Sequence, residues 1–162
     1  MSVRERRLLT DREKMQALQL SSDLIHVSEI SPDCDRYKVS FCCRGLIWMP
    51  GALAPSISAN HRCEIYLHLN YPRTPPQVVW LTQIFHPNIL PPQQNGGVCI
   101  GHWSPAETLD QLCIRLAEMV QMKNFNVNDP LNPTAANWAR ANISKFPVDN
   151  RPILHPEPEI IV

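Results

Sequence analysis

One thiol and one amide, in a loop rich in proline and glycine, are the groups of this chain best placed to do chemistry. The thiol belongs to Cys99, which ends the run Asn-Gly-Gly-Val-Cys. The amide belongs to Asn88, eleven positions upstream, in the tripeptide His-Pro-Asn. A thiolate is the nucleophile in acyl exchange, and an amide N–H stabilises the oxyanion formed when an amine attacks a thioester. The pair therefore indicates an acyl-transfer site.

Each of these residues also has a structural interpretation. For Cys99 the structural interpretation is a buried core cysteine, which fits poorly with its neighbouring glycines and its place in a proline-rich loop. Asn88 as a turn residue that stabilises its own loop is compatible with a catalytic role. His86 fits loop packing better than catalysis, and His102 is either a base or an exposed side chain. The Cys-x-x-His spacing of Cys99 and His102 raises metal binding, but no second pair lies at a zinc-finger interval, so no metal site is predicted.

Composition excludes several classes of protein. With 162 residues, 44% of them apolar and 19% charged, the chain can form one domain with a substantial core. Its 15 basic and 15 acidic side chains balance, which argues against nucleic acid or an anionic membrane as the partner. Met1–Thr10 is charged and has no apolar signal-peptide segment, and no stretch is long enough to span a bilayer. The six cysteines are therefore expected to be reduced, in a cytoplasmic protein.

The hydrophobic pattern predicts a helix followed by a four-stranded antiparallel meander. Helical periodicity covers Val3–Gln19, and alternation of apolar and polar residues predicts four strands. In the third strand, Leu69 is the last residue predicted to face the core. The predicted strands are Leu24–Ile30, Tyr37–Cys43, His61–Leu69 and Val78–Leu81. Residues 44–60 are left without an assignment, and 82–103 are predicted to be irregular.

A helix with a clear apolar stripe follows the irregular segment. Two capping signals compete for its start, Ser104 with Glu107 and Thr108 with Gln111. The stripe consists of Leu109, Leu112, Cys113, Leu116 and Val120.

A second helix and an extended tail complete the prediction. The helix begins with Asn132 as N-cap and reaches about Ile143. The boundary is placed so that 1–146 form the domain and 147–162, with four prolines, form an extended tail outside the core. The tail ends in the apolar triplet Ile160–Val162, for which we favour a partner-binding role over packing against the chain's own helices.

The order of these elements and five short motifs resemble the ubiquitin-conjugating enzyme family. That family has an α+β fold with an N-terminal helix, a four-stranded antiparallel meander, an active-site loop and further helices. Each motif is weak alone, but five in the family's order are a strong signal over roughly Val3 to Ile143. The motifs are Tyr71-Pro72 with Pro75-Pro76, His86-Pro87-Asn88, Asn95-Gly96 with Val98-Cys99, Trp103-Ser104-Pro105-Ala106, and Asn128-Asp129-Pro130-Leu131 with Pro133.

The resemblance implies a conjugating enzyme that uses no metal or organic cofactor. Cys99 would carry ubiquitin or a ubiquitin-like protein as a thioester, received from an activating enzyme, and pass it to an amine. Asn88 would stabilise the oxyanion, and Asp129 would orient the acceptor lysine and help to deprotonate it. Asp129 as an ordinary turn residue is the alternative. With His86 as a loop residue of the site, these four form the candidate catalytic set.

The resemblance also implies docking surfaces for protein partners. The basic side chains of the first helix would bind the activating enzyme, although a solvated amphipathic helix explains the same pattern. A ligase or other partner would contact two loops, but the first has Arg73 where the family often has an aromatic residue, which weakens the case for a typical RING-type ligase. The candidate residues are Arg4, Arg6, Arg7, Lys14, Arg73, Trp103, Ser104, Pro105 and Ala106.

Four further departures set this chain apart from the usual family pattern. The interval from Asn88 to Cys99 is longer than usual, as if two prolines and a glutamine were inserted. Trp103 follows Cys99 by only four positions, and Gly101 lies where an acidic residue is common. The closing helices are reduced to at most one. Such trimmed forms resemble the conjugating enzymes of bacterial ubiquitin-like operons.

Two other functions compete with this one. A non-catalytic scaffold of the same fold would bind the modifier without a covalent step, but inactive members of the family lack the cysteine that is present here as Cys99. A cysteine hydrolase would use Cys99 with His86 or His102, but the sequence has no recognisable nucleophile-on-helix signature.

Overall fold

The computed structural model describes residues 1–156 and has an α+β architecture. The elements in chain order are α1 (Val3–Ser21), β1 (Ile25–Ile30), β2 (Arg36–Phe41), β3 (Gly45–Ile47), β4 (Ser56–Ser58), β5 (His61–Tyr66), β6 (Gln77–Trp80), α2 (Leu109–Val120) and α3 (Pro133–Ala141). Single 3-10 turns lie at Pro92–Gln94 and Ile143–Lys145. Strands β1, β2, β5 and β6 form an antiparallel sheet in that order, which confirms the predicted fold class and meander.

Helix α1 is fixed at its start by a capping box. The Ser2 hydroxyl accepts a hydrogen bond from the Glu5 N–H (3.1 Å), and the Glu5 carboxylate accepts one from the Ser2 N–H (2.9 Å).

The buried face of α1 contains a carboxylate that hydrophobic periodicity does not predict. The residues of that face are Leu8, Asp11, Met15 and Leu18.

The sheet buries one face against the helices. The predicted inward residues of the second strand are all at most 1% exposed; they are Tyr37, Val39, Phe41 and Cys43. The prediction for Leu69 was wrong, because β5 ends at Tyr66 and the chain then turns, with the Tyr71 N–H donating to the His68 carbonyl (3.0 Å). Leu69 is 83% exposed as a result.

The segment left unassigned, residues 44–60, contains the hairpin of β3 and β4, a second sheet of two strands. Gly45 starts it where the backbone passes very close to α2. A Cβ atom at Gly45 would lie 2.8 Å from a methyl group of Val120 and 2.9 Å from Nε2 of His61. Only a residue without a side chain fits this approach.

Both capping signals before α2 are used. The Thr108 N–H donates to Oε1 of Gln111 (3.1 Å) at the start of the helix. Ser104 and Glu107 form the turn just before it, with the Ser104 N–H donating to the Glu107 carboxylate (3.2 Å) and the Glu107 N–H to the Ser104 carbonyl (2.9 Å). The predicted apolar stripe of α2 is entirely buried.

Helix α3 starts as predicted and is slightly shorter. The Asn132 side chain accepts a hydrogen bond from the Ala135 N–H (3.0 Å), and the helix ends at Ala141, after which Ile143 begins a 3-10 turn. Among residues 1–156, no helix is long and apolar enough to cross a membrane.

Residues 147–156 form no helix or strand, but they lie on the domain. The Asp149 carboxylate is buried and accepts hydrogen bonds from the Arg44 N–H (3.0 Å) and from Arg151 (2.8 Å), while Ile153 packs against the core. The expectation that the tail lies outside the core is thus corrected for these residues, because a buried carboxylate fastens it. The boundary at 146/147 remains a prediction, and the triplet 160–162 lies outside the described residues.

Candidate active site

The loop that carries Cys99 is held against the sheet and against its own first half. The Trp80 N–H of β6 donates to the Gly96 carbonyl (2.8 Å), and the Leu90 N–H donates to the Gly97 carbonyl (2.8 Å). Gly96 has φ +66°, and a Cβ there would lie 2.4 Å from the Trp80 oxygen. The loop is therefore irregular but closely fitted, and glycine is required at its point of contact with β6.

Cys99 lies directly beside Asn88 in spite of the long interval between them. The Cys99 N–H donates to the Asn88 carbonyl (2.9 Å). The extra residues lie in and next to the 3-10 turn Pro92–Gln94, and the two halves of the loop stay paired through the Leu90–Gly97 and Cys99–Asn88 hydrogen bonds. Gln83 and Gln93 exchange two amide hydrogen bonds (2.8 and 3.0 Å) that hold this turn. The insertion thus leaves the backbone of Asn88 in contact with that of Cys99.

The Asn88 side chain is buried and bonded to one residue. Its Nδ2 donates to the Asn126 carbonyl (2.9 Å), and its Oδ1 accepts from the Asn126 N–H (2.7 Å). Asn126 is three positions before Asp129. Asn88 therefore links the cysteine loop to the segment that carries the candidate carboxylate.

His86 is behind the site, not in it. It is 1% exposed, and its Nδ1 accepts a hydrogen bond from the Asn88 N–H (2.9 Å). Burial lowers the pKa of His86 to about 3, so the ring is neutral at physiological pH. The neighbouring Pro87 carbonyl accepts from the N–H groups of Leu131 (2.9 Å) and Asn132 (3.0 Å), which places the start of α3 against the same tripeptide. This geometry corrects the inclusion of His86 in the catalytic set, since a buried neutral ring cannot reach a substrate.

Three of the four candidate catalytic residues line one cleft of about 410 Å³. Cys99 and Asp129 are exposed in it, and Asn88 forms part of its buried wall. His102 also lines the cleft, next to Glu107 and Arg115; His86 does not line it. The arrangement brings together an exposed thiol, a side-chain amide and a carboxylate.

Cys99 is also the cysteine most accessible to a reactant. Within the described residues, which include all six cysteines, it alone is exposed. Burial raises the pKa of the thiols of Cys43, Cys63 and Cys113, so these thiols stay protonated at neutral pH. Cys42 is half-buried and its thiol donates to the Asp23 carbonyl (3.0 Å). Exposure therefore favours Cys99 as the nucleophile.

Comparison with known proteins gives the family of the chain. The family model described as ubiquitin-conjugating enzyme matches residues 54–151, more than half of the chain. This chain belongs to the ubiquitin-conjugating enzyme family. It is similar to ubiquitin-conjugating enzyme E2 16 of Schizosaccharomyces pombe (strain 972 / ATCC 24843), with 38% identity over 81 residues, which are 48% of this chain and 48% of the relative. The match thus spans about half the length of that curated relative.

Two of the arginines predicted to dock an activating enzyme make contacts within the domain instead. Arg4 donates to the carbonyls of Leu67 and His68 (both 2.7 Å). Arg7 donates to the Asp11 carboxylate (3.0 Å) and to the Tyr71 hydroxyl (3.0 Å), and also to the carbonyls of the turn before α2. Their guanidinium groups fasten α1 to neighbouring loops, which corrects the expectation of a free basic surface at these two positions.

Arg6 and Lys14 are exposed on α1 and remain candidates for contact with a partner. Arginine and lysine at exposed helix positions are also ordinary solvated residues.

The two loops predicted to contact a partner lie side by side in this member of the family. The Trp103 indole N–H donates to the Pro72 carbonyl (2.9 Å), and its ring centroid is 5.9 Å from that of Tyr71. Trp103 is therefore a half-buried link between the loops, and Ser104 is half-buried in the turn before α2. Arg73, Pro105 and Ala106 are exposed.

Sequence reasoning missed the roles of several polar residues that fasten the domain or line the cleft. Asp11 is a polar residue within the buried stripe of α1, and its spacing of four from Arg7 is a signal that could have been used. Asn126 and Arg115 carry no such signal, because each acts on residues that only the folded chain brings near. Glu107 is predicted only as the capping partner of Ser104, and its contact with Arg115 likewise depends on the fold.

Proposed function

We propose that this chain is a conjugating acyltransferase of the ubiquitin type. Cys99 accepts the C-terminal acyl group of ubiquitin or a ubiquitin-like protein from an activating enzyme and passes it to an amine. The observation that carries the proposal is the position of Cys99. Its thiol is exposed in a cleft shared with Asp129, and its backbone N–H donates to the Asn88 carbonyl. Membership of the family supports a conjugating role in general terms.

The reaction consists of two acyl exchanges. In the first, the Cys99 thiolate attacks the thioester carbonyl on the activating enzyme; a new C–S bond forms, and the other enzyme's sulfur leaves as a thiolate. In the second, a neutral amine attacks the Cys99 thioester, a C–N bond forms, and the Cys99 thiolate leaves. The proton lost by the amine goes to a base or to water.

Asn88 acts on the second exchange in two ways. Its amide carries two N–H donors, one of which bonds the Asn126 carbonyl. The other is the candidate donor to the oxyanion that forms as the amine attacks. Its bonds to Asn126 also hold the segment that carries Asp129.

Asp129 is the candidate group for the acceptor amine. A lysine has a pKa of about 10.4 in water, so most of it carries a proton at neutral pH. A carboxylate exposed in the cleft attracts the ammonium group and can take part in its deprotonation. His86 has a positioning role in this scheme, since it accepts the Asn88 N–H.

Protein partners complete the proposed function. The activating enzyme is expected to contact the exposed Arg6 and Lys14 of α1, and a ligase the exposed Arg73, Pro105 and Ala106. No cofactor is required for either acyl exchange. A cytoplasmic location and a bacterial ubiquitin-like system remain predictions from the sequence.

The test is transfer of the modifier to the protein. Incubation with the cognate modifier, its activating enzyme and ATP should give an adduct that a thiol reductant removes. Cys99→Ala should form none, and Cys99→Ser should form an ester that resists the reductant. Cys42→Ala is the matched control, because its thiol is half-buried outside the cleft.

A reducible adduct on Cys99→Ala at the wild-type level would overturn the assignment of the nucleophile. Binding of the modifier without any ATP-dependent adduct on the wild-type chain would support the scaffold function instead.

A further inference from the structure

The chain on the two sides of Cys99 is held in different ways. Upstream, Val98 bridges Ile89, and the Cys99 N–H bonds the Asn88 carbonyl. Downstream, residues 100–103 make no backbone-to-backbone hydrogen bond within the described residues 1–156. Gly101 has φ +79° and no neighbour that a Cβ would meet within 4 Å. The short link from Cys99 to the next loop therefore depends on side chains for its position.

Arg115 of α2 supplies most of these side-chain bonds. Its Nη1 donates to the Ile100 carbonyl (3.0 Å) and to the His102 carbonyl (3.2 Å). Its Nη2 is in close contact with Oε1 of Glu107. One guanidinium thus contacts carbonyls on both sides of Gly101 and a carboxylate beyond them.

Glu107 connects this link to the loop that follows. Its other oxygen, Oε2, accepts a hydrogen bond from the Ser104 N–H (3.2 Å). The side chains of Arg115 and Glu107 are both 23% exposed, so the ion pair is shielded from most of the solvent. Both residues line the same cleft as Cys99. An ion pair with several hydrogen bonds and limited exposure holds its geometry better than an exposed pair.

We propose that Arg115, oriented by Glu107, is a positioning residue for the acyl group carried on Cys99. This inference rests on the proposed function of Cys99. Arg115 acts through the carbonyls of the link and fixes where the sulfur, and hence the thioester carbonyl, lies relative to the upstream wall of the cleft. A guanidinium is suited to this because its donors are in a fixed plane; an ammonium keeps the charge but not the geometry.

Positioning of this kind changes the rate of transfer more than the binding of the acceptor. Small displacements of reacting groups by distant substitutions reduce rates by up to about a hundredfold. For Arg115→Met, which keeps most of the unbranched stem of the side chain and removes its donors, we expect a fall on the order of tenfold to hundredfold in the saturating rate of discharge to free lysine. The lysine concentration at half-saturation should stay within about twofold, because the carboxylate of Asp129 is untouched.

Two further variants separate positioning from general stabilisation. Arg115→Lys should discharge at a rate between those of the wild type and Arg115→Met. Glu107→Gln should slow discharge in the same way, and the double variant of Arg115→Met with Glu107→Gln should be no slower than Arg115→Met alone, since the two residues act as a unit. Alkylation of Cys99 by iodoacetamide should stay within about twofold of wild type in all of them, because a small reagent needs only an exposed thiol.

The matched control is Arg36→Met. Arg36 is an exposed arginine of β2 paired with Glu64 (3.3 Å), and it does not line the cleft. Discharge by this variant should equal that of the wild type. Thermal melting of every variant establishes that it is folded before its rate is compared.

The outcomes distinguish this inference from the function on which it rests. If the wild type and Arg36→Met form no adduct at Cys99, the proposed function fails. If both form and discharge the adduct and Arg115→Met discharges at the same rate, the positioning role is overturned. If Arg115→Met does not fold, the comparison rests on Arg115→Lys and Glu107→Gln, and wild-type rates in both would overturn the role.

Discussion

Asn88 and Asn126 exchange two hydrogen bonds, one in each direction, between the buried wall of the cleft and the segment that precedes α3. These two bonds fix the orientation of the Asn88 side-chain amide and the path of the backbone from Asn126 towards Asp129. Any change at Asn88 therefore affects both the proposed oxyanion donor and the backbone that carries the proposed acceptor-binding carboxylate.

Asn88→Ala should slow discharge of the thioester more than its formation. Loss of one oxyanion donor typically reduces a rate by on the order of a hundredfold, whereas loading depends on a different partner and leaving group. Single-turnover loading and discharge, measured separately, test this. Asn70→Ala, at an exposed position outside the cleft, is the control. Equal discharge by Asn88→Ala and wild type, with the fold intact, would contradict the role.

The buried ring of His86 should make the protein less stable in mild acid. Its pKa is lowered by burial from 6.5 to about 3 in the folded state. Between these values the unfolded chain binds a proton that the folded chain does not, so stability is complete above about pH 6.5 and falls as the pH decreases towards 3. The slope from one such group is at most about 1.4 kcal/mol per pH unit.

Urea denaturation at pH 7 and at pH 5 measures this effect. His86→Asn keeps an acceptor near the position of Nδ1 and cannot be protonated, so its stability should depend less on pH. Burial also lowers the pKa of His61, which acts in the same direction, so the dependence should be reduced and not abolished. An unchanged dependence in His86→Asn would rule out this explanation.

Asp11 should be one of the most sensitive positions for stability. Its carboxylate is fully buried and accepts hydrogen bonds from Arg7 (3.0 Å), from the Tyr71 hydroxyl (2.5 Å) and from the Leu109 N–H (3.1 Å). Asp11→Ala leaves a cation and two polar groups without their partner. We expect it to lower the free energy of unfolding by about 3–5 kcal/mol.

Tyr71→Phe removes one of the three bonds to Asp11 and also the bond that Arg7 donates to the Tyr71 hydroxyl, but leaves the carboxylate paired with Arg7, and should cost about 1–2 kcal/mol. Chemical denaturation of both variants tests the order of the two effects. Glu13→Ala, at an exposed position of α1, is the control and should change stability by less than about 0.5 kcal/mol. A small effect of Asp11→Ala would mean that the carboxylate network contributes little.

The segment 147–156 should contribute to stability through Asp149. Its carboxylate bonds the Arg44 N–H and the Arg151 side chain, and its carbonyl accepts from Lys123 (3.1 Å). Asp149→Ala should destabilise the domain by about 2 kcal/mol, with Asn150→Ala as an exposed control next to it. Deletion of 149–162 should lower the melting temperature at least as much as Asp149→Ala does. An unchanged melting temperature in the deletion variant would show that these contacts add no stability.

The same carboxylate adds to the loss of stability in acid. Hydrogen bonds from Arg151 lower the pKa of Asp149 below its ordinary value of 3.8. Its stabilisation is therefore present above that value and is lost as the pH falls below it. Asp149→Asn should therefore lower the free energy of unfolding by the same amount at pH 7 and at pH 5, and this difference from the wild type should shrink as the pH falls below 3.8, a range more acidic than the one in which His86 acts first.

The sequence by itself determined the order of the four meander strands, the stripe of α2, the starts of α1 and α3 and the irregular loop around Cys99. These are local properties: alternation or helical spacing of apolar residues, caps within four positions, and short motifs in which glycine and proline set the backbone. The family was also recognisable at this level, since its motifs are short and follow one another along the chain.

Only the tertiary structure decided which polar side chains fasten the fold and which face a partner. Arg7 and Arg6 are adjacent in the sequence, yet Arg7 bonds the turn before α2 and Arg6 is exposed. The same holds for the burial of Asp149 beside Arg44 and for the pairing of Arg115 with the carbonyls after Cys99. A long charged side chain suits solvent or a distant carbonyl equally well by type, and its choice depends on groups that approach only when the chain has folded.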